Sequence, residues 1–189
     1  DEKQYEVGSH QWFDLTDKSG AFGVTVLSDC KTGSDKPDDS TLRLTLLRTP
    51  GISDWGWWLT DQATQDWGRH KIFYGLMGHA GDWRREQSDW QALRLNQRLI
   101  AFSTTRHAGE LGKSFSLLKL SSSRVRVLAV KKAEESADII VRLVELDGKT
   151  QQNVSVTFAA PIASARELNG QEQPLGQALV DKGELRIDL

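Results

Sequence analysis

The sequence predicts an all-β fold: a β-sandwich with at most one or two short helices. Three observations carry that expectation. Apolar side chains recur at every second position through most of the chain, glycine-containing pairs punctuate the runs, and prolines stand at their edges. Many short alternating runs separated by turns close into layered sheets, because each sheet has one apolar face to bury. A chain of 189 residues can hide roughly 70% of its unfolded surface. A single domain over 1–189 is therefore expected.

The first clear run is 22–27, where Phe22, Val24 and Val26 share a side. In 41–48, Leu42, Leu44 and Leu46 share one side and Arg43, Thr45 and Leu47 the other. Asp82 through Asn96 breaks the period and reads as a short helix capped by Asp82 or as an ordered loop. Alternation resumes with Val125, Val127 and Ala129. It is followed by 138–146, which is apolar on both sides and so expected to be a central strand covered on both faces. Val154, Val156 and Phe158 align in the next run, and 184–189 alternates to the last residue, an expected open edge. Of the turn pairs, Asp147-Gly148 is the strongest hairpin signal, with Lys182-Gly183 and Asn169-Gly170 beside it.

Charge and composition exclude several classes. The 24 basic and 26 acidic residues are interspersed and leave a net charge of -2, which suits neither nucleic acid nor an anionic membrane. Apolar runs fall short of the ~20 residues that cross a bilayer. Cys30 is the only cysteine, so no intrachain disulfide forms, and its place after a strand-like run suits a small apolar filler. The first residues, Asp1 to Tyr5, carry no leader features, so targeting is not legible.

Catalytic chemistry finds little purchase. None of the four histidines, His10, His70, His79 and His107, stands in a His-Glu-x-x-His pattern, so no metal site is expected. There is no Gly-x-Ser-x-Gly elbow and no phosphate-cradling glycine loop. Glu134-Glu135 would diverge on a strand, and Asp38-Asp39 lie in a proline-flanked turn. No catalytic residue is expected in this chain. The densest unusual feature is the tryptophan-rich stretch from Asp54 to Gly68. Trp55, Trp57 and Trp67 are its candidates for sugar stacking, although burial against the chain's own or a partner domain is the commoner use of such rings.

Several ordered motifs then resemble the C-terminal part of glycoside hydrolase family 38 α-mannosidases of the bacterial and cytosolic type. His10-Gln11-Trp12-Phe13-Asp14-Leu15-Thr16-Asp17 is followed by Phe22-Gly23-Val24-Thr25-Val26-Leu27-Ser28-Asp29-Cys30-Lys31-Thr32-Gly33. Next come Leu42-Arg43-Leu44-Thr45-Leu46-Leu47-Arg48-Thr49-Pro50, Gly68-Arg69-His70 and His79-Ala80-Gly81-Asp82-Trp83. Val130-Lys131-Lys132-Ala133-Glu134 and Val141-Arg142-Leu143-Val144-Glu145 complete the series. Ser28, Thr32 and Gly78 depart from the family's usual Asn, Tyr and Pro.

The resemblance implies part of a galactose mutarotase-like supersandwich that packs against its own N-terminal catalytic domain. It implies a parent enzyme that is retaining and exo-acting on terminal α-linked mannose, with a divalent metal, zinc, held in that absent domain and no cofactor here. Mannose-containing glycans are the implied ligands, a cytoplasmic setting is favoured over a periplasmic one, and oligomer formation is left open. Asp29 and Lys31, a charged pair at a strand end, are the candidates for reaching the rim of the sugar cleft. The alternative is a freestanding carbohydrate-binding module with a tryptophan platform.

Overall fold

The computed structural model describes residues 5–49 and 65–189, with the backbone alone of 4, 53–54 and 57–58. Among these residues every strand pairing is antiparallel, and a single nine-residue helix is present. The expected all-β class is what the chain adopts. It divides into two compact units, Asp1–Ser103 and Thr104–Leu189.

In the first unit, β1 (Gln4–Gly8), β4 (Gly33–Asp38) and β5 (Thr41–Leu44) form a sheet in the order β1-β4-β5. Pro37 sits inside β4, where the pairing with β5 is irregular between Asp35 and Asp38. A residue without an N–H is tolerated there because the ladder is already interrupted. A second sheet joins β2 (Trp12–Thr16), β3 (Phe22–Ser28) and β8 (Tyr74–Ala80) in the order β2-β3-β8. The loop into β3 closes on Asp17, whose carboxylate accepts the Ala21 and Phe22 N–H groups at 2.8 and 3.1 Å, while Gly20 takes φ +69°. A short ladder pairs β6 (Ser53–Asp54) with β7 (Trp57–Trp58).

The helix α1 (Ser88–Asn96) packs on β3 and β2 through Ser88, Asp89 and Ala92, which all lie on its buried face. It begins later than the sequence suggests. Asp82 accepts the N–H groups of Arg84 and Arg85 at 3.1 and 3.0 Å in the preceding turn instead of capping the helix. Gln87, in the left-handed region at φ 55°, sets the helix start without a side-chain cap.

Alternation places Phe22, Val24 and Val26 on one side of β3 as expected, yet the other side is the better buried. Thr25 is 0% exposed and Gly23 is buried beneath its neighbours, whereas Phe22 is 56% exposed. The polar side of the sheet is thus an interior surface.

The second unit contains β9 (Leu118–Leu120), β10 (Val125–Lys132), β11 (Ile139–Glu145), β12 (Val154–Phe158), β13 (Ala165–Leu168), β14 (Pro174–Asp181) and β15 (Glu184–Ile187). Five of them form a sheet in the order β13-β14-β15-β12-β9, and β10 pairs with β11. Val125, Val154 and Val156 are its buried hydrophobic residues. A groove of about 640 Å³ runs between β11 and β13 to β15.

Three expectations are corrected here. β11 is not a central strand: among the described strands it pairs with β10 alone, and Ile139 is 62% exposed. β15 is not an open edge, since β14 and β12 pair on its two sides. The two-residue hairpin is Lys182-Gly183, both at positive φ, joining Asp181 to Glu184. Asp147-Gly148 instead connects strands that do not pair, and its backbone N–H groups are gathered by the Glu145 carboxylate at 2.7 and 2.6 Å.

Candidate functional site

A buried, hydrogen-bonded polar cluster lies beneath α1, on the buried face of the β2-β3-β8 sheet. Register places Asp14 opposite Thr25, and Gly23 opposite both Thr16 and His79. All five residues therefore lie on one face. His79 Nε2 meets Asp14 Oδ1 at 2.7 Å, with the two side chains only 2% and 7% exposed. Thr16 donates to Asp14 Oδ2 at 2.7 Å, and Thr25 donates to Oδ1. Ser88 Oγ, on α1, lies 2.7 Å from Thr25 Oγ1. Because the Thr25 proton is committed to Asp14, Ser88 must be the donor of that bond.

The far nitrogen of His79, Nδ1, lies 3.1 Å from the Gly81 carbonyl. Both ring nitrogens face oxygen acceptors, so the contacts are satisfied only with a proton on each, or with Asp14 carrying one. No room is left for a substrate. The Gly23 Cα lies so close that a Cβ there would stand 2.3 Å from His79 Cε1. This network ties three strands and a helix into one body.

What it positions is the end of β3. Ser28 Oγ accepts the Lys31 N–H at 2.9 Å, closing the turn Asp29-Cys30-Lys31. Asn96, the last residue of α1, donates its side-chain amide to the Ser28 carbonyl at 3.1 Å and to the Ala92 carbonyl at 2.9 Å. The Asp29 N–H reaches the Phe73 carbonyl at 3.4 Å. Asp29 and Lys31 thus share one anchored turn, both half-buried, and Asp29 Oδ1 is shut from water without a hydrogen-bond partner among the described residues. Cys30 between them is exposed and no apolar filler. The Asp29 carboxylate, by hydrogen bond and by charge, pushes its thiol up from the usual range. Beside the turn, the Lys71 ammonium and the Arg98 guanidinium lie 4.9 and 5.1 Å from the Phe73 ring centre.

Of the tryptophan candidates, Trp67 is 74% exposed. Trp55 and the side chain of Trp57 lie outside the described residues. Among the described residues Trp12 pairs with Trp83, ring centres 5.1 Å apart, with the Arg84 guanidinium 4.2 Å from the Trp83 ring. Asp14, Thr25, Ser88 and Asn96 were not singled out from the sequence as candidates, nor His79 as their partner. The signal was present in the motifs His10–Asp17 and His79–Trp83, whose polar residues recur on strands with no evident solvent face.

No group of three or more His, Cys, Asp or Glu side chains among the described residues is arranged to hold a metal ion. His79 is saturated by Asp14 and Gly81, His70 Nε2 lies 2.8 Å from the Asp66 carbonyl, and His107 Nδ1 lies 3.0 Å from the Ala108 carbonyl.

Comparison with known proteins assigns this architecture. Two family models match: the glycosyl hydrolases family 38 C-terminal domain over residues 1–55, and the glycosyl hydrolases family 38 C-terminal beta sandwich domain over 124–189. Human alpha-mannosidase 2C1 is 35% identical over 148 residues, covering 77% of this chain and 13% of that protein. Mouse alpha-mannosidase 2C1 is 29% identical over 189 residues, covering 97% and 17%. This chain therefore spans less than a fifth of the length of these relatives. Among solved structures, a glycosyl hydrolase family 38 protein from Enterococcus faecalis superposes with a TM-score of 0.76 at 22% identity, over 98% of this chain and 22% of that one. An alpha-mannosidase from Enterococcus faecalis V583 gives 0.77 at 22% identity, over 97% and 21%. At that identity the structures speak for the fold alone. The two family models together take in more than half of the residues, and the chain belongs to the C-terminal region of glycoside hydrolase family 38.

Proposed function

We propose that this chain is the non-catalytic C-terminal portion of a retaining, exo-acting α-mannosidase that releases terminal α-linked mannose. One observation carries the reading: both ends of the chain match the family's C-terminal models, while the relatives that align along it are named alpha-mannosidases and are several times longer. In this reading the nucleophile, the acid/base carboxylate and a divalent metal, zinc, belong to an N-terminal catalytic portion. The described residues of this chain offer that metal no site: no three His, Cys, Asp or Glu side chains among them are grouped to hold an ion, and His70, His79 and His107 are engaged by carbonyls or a carboxylate.

Support for a role at the sugar cleft comes from the turn at the end of β3. A half-buried carboxylate beside a half-buried lysine, on an anchored turn at a strand end, suits the donors and acceptors of a sugar hydroxyl. Asp29 and Lys31 are thus assigned to the rim, held there by Ser28 and Asn96. The exposure of Trp67 favours a second reading, a freestanding carbohydrate-binding module.

Assaying an aryl α-mannoside separates the two. The full-length enzyme is expected to release mannose and to lose that activity to a chelator, and the 189-residue chain to release none. Mannose release by the chain alone sinks the first reading. Glycan binding by the chain that survives Asp29→Ala but is abolished by Trp67→Ala establishes the second in its place.

A further inference from the structure

We infer that Leu99-Ile100-Ala101-Phe102, at the end of the first unit, is a docking segment that inserts as an added strand into the catalytic portion of the same polypeptide. This rests on the proposed place of the chain in a longer enzyme. Leu99 is 100%, Ile100 90% and Phe102 85% exposed. Single exposed leucines are ordinary on protein surfaces, but three large apolar side chains in four consecutive residues mark a surface meant to be covered.

The form of the cover follows from geometry. In an extended segment Ile100 and Phe102 point one way and Leu99 the other, so bare side chains on both sides call for a slot and not a flat patch. No backbone hydrogen bond to another backbone group engages residues 99–102 among the described residues. With both side-chain faces and both backbone edges open, the segment has what strand addition requires.

The segment also leaves from a fixed point. The Gln97 N–H donates to the Leu93 carbonyl at 2.7 Å, Asn96 is tied to Ser28, and Arg98 is held near the Phe73 ring. Its direction is therefore set by α1 and β3 before any partner arrives.

The length of the related proteins selects the occupant. The solved relatives, of which this chain spans 22% and 21%, have the remaining polypeptide to supply it.

Hydrogen exchange read by mass spectrometry tests this in the 189-residue chain and in the full-length enzyme. Amides 99–103 are expected to exchange almost freely in the chain and at least about 100-fold more slowly in the enzyme. Leu99→Asp with Phe102→Asp is expected to restore fast exchange there and to leave the stability of the 189-residue chain unchanged. Fast exchange in an active full-length α-mannosidase overturns the docking segment while leaving the proposed function standing. Protection that appears in the chain alone, rising with concentration and lost in the double variant, overturns it in favour of a second copy. Absence of mannosidase activity, with the segment protected in the full-length protein, instead removes the proposed function and keeps the docking segment.

Discussion

His79 passes over Gly23 on the intervening strand to reach Asp14, so that a residue of β8 is bonded to one of β2 across β3 at 2.7 Å. The pair is almost wholly buried, and removing one partner strands the other away from water. His79→Ala is expected to cost about 3 kcal/mol, the low end for a broken buried pair, because Thr16 and Thr25 still donate to Asp14. Asp14→Ala with His79→Ala is expected to cost less than the sum of the single changes. Urea unfolding of the four proteins checks both statements, and additive losses below about 1 kcal/mol each would remove the network from the stability of the first unit.

Gly23→Ala tests the same geometry from the strand between. Its new methyl group would stand 2.3 Å from His79 Cε1 and 2.9 Å from Thr16 Oγ1, so the ring must leave its place. A loss of about 1–3 kcal/mol is expected from this overpacking. In a His79→Ala background the same substitution should cost less, with only the Thr16 hydroxyl at 2.9 Å left to shift. An equal penalty in both backgrounds would put the strain in the backbone and not in the ring.

Much of the fold was legible because alternation is a local property. Val154 and Val156 fall on the buried side of β12 as their spacing requires. The candidate site was less legible. β3 buries Thr25 and Gly23 on the side that hydropathy assigns to solvent. Their burial depends on α1, whose Ser88 arrives from 63 residues away to complete the hydrogen bonds. Pairing order was likewise out of reach. Nothing local to Glu184–Ile187 says that β14 and β12 will flank it, because a strand's neighbours are chosen by the whole sheet.

Acid should weaken the first unit. Asp17 is held below the usual carboxylate range by the Ser19 hydroxyl, Asp35 by Arg43, Asp38 by the Ser40 N–H, Asp39 by Lys36 and Lys18, and Asp82 by the Arg85 N–H. A folded-state value below the unfolded one means stabilisation present above about pH 4, lost as pH falls through the depressed values. These groups are exposed, so each contribution is small, but all five lie within Asp1–Ser103. Amide spectra recorded from pH 6 to pH 2 should show residues 17–22 and 35–41 changing first, with Asp17→Asn removing the response of the former. A response of the same size between pH 6 and pH 8 would contradict the sign.

The hairpin Lys182-Gly183 offers a local test of the second unit. Both residues hold positive φ, at 51° and 82°, and a Cβ at position 183 would meet Pro161 Cβ at 2.6 Å. Gly183→Ala therefore combines a left-handed backbone with a clash and is expected to cost about 1–3 kcal/mol. Lys182→Gly relieves strain at its own position and is expected to change stability by no more than about 1 kcal/mol. Thermal unfolding of both variants checks the asymmetry, and a tolerated Gly183→Ala would mean that the hairpin does not rest against Pro161.

Asn96 carries the last prediction, because it joins α1 to the turn assigned to the sugar cleft. Its amide spans two carbonyls, Ala92 within its own helix and Ser28 at the end of β3. Asn96→Ala leaves the Ser28 carbonyl without this donor, and a loss of about 1 kcal/mol is expected. The more telling effect lies in the turn. Asp29-Cys30-Lys31 keeps its Ser28 hydroxyl contact but loses the tether behind it, so the amides of residues 29–31 should exchange faster while those of β12 do not change. If the turn reaches substrate, the full-length variant should show a raised KM with kcat little altered, since a residue that only positions a binding group affects binding before chemistry. An unchanged KM alongside faster exchange in the turn would place Asp29 and Lys31 away from the sugar.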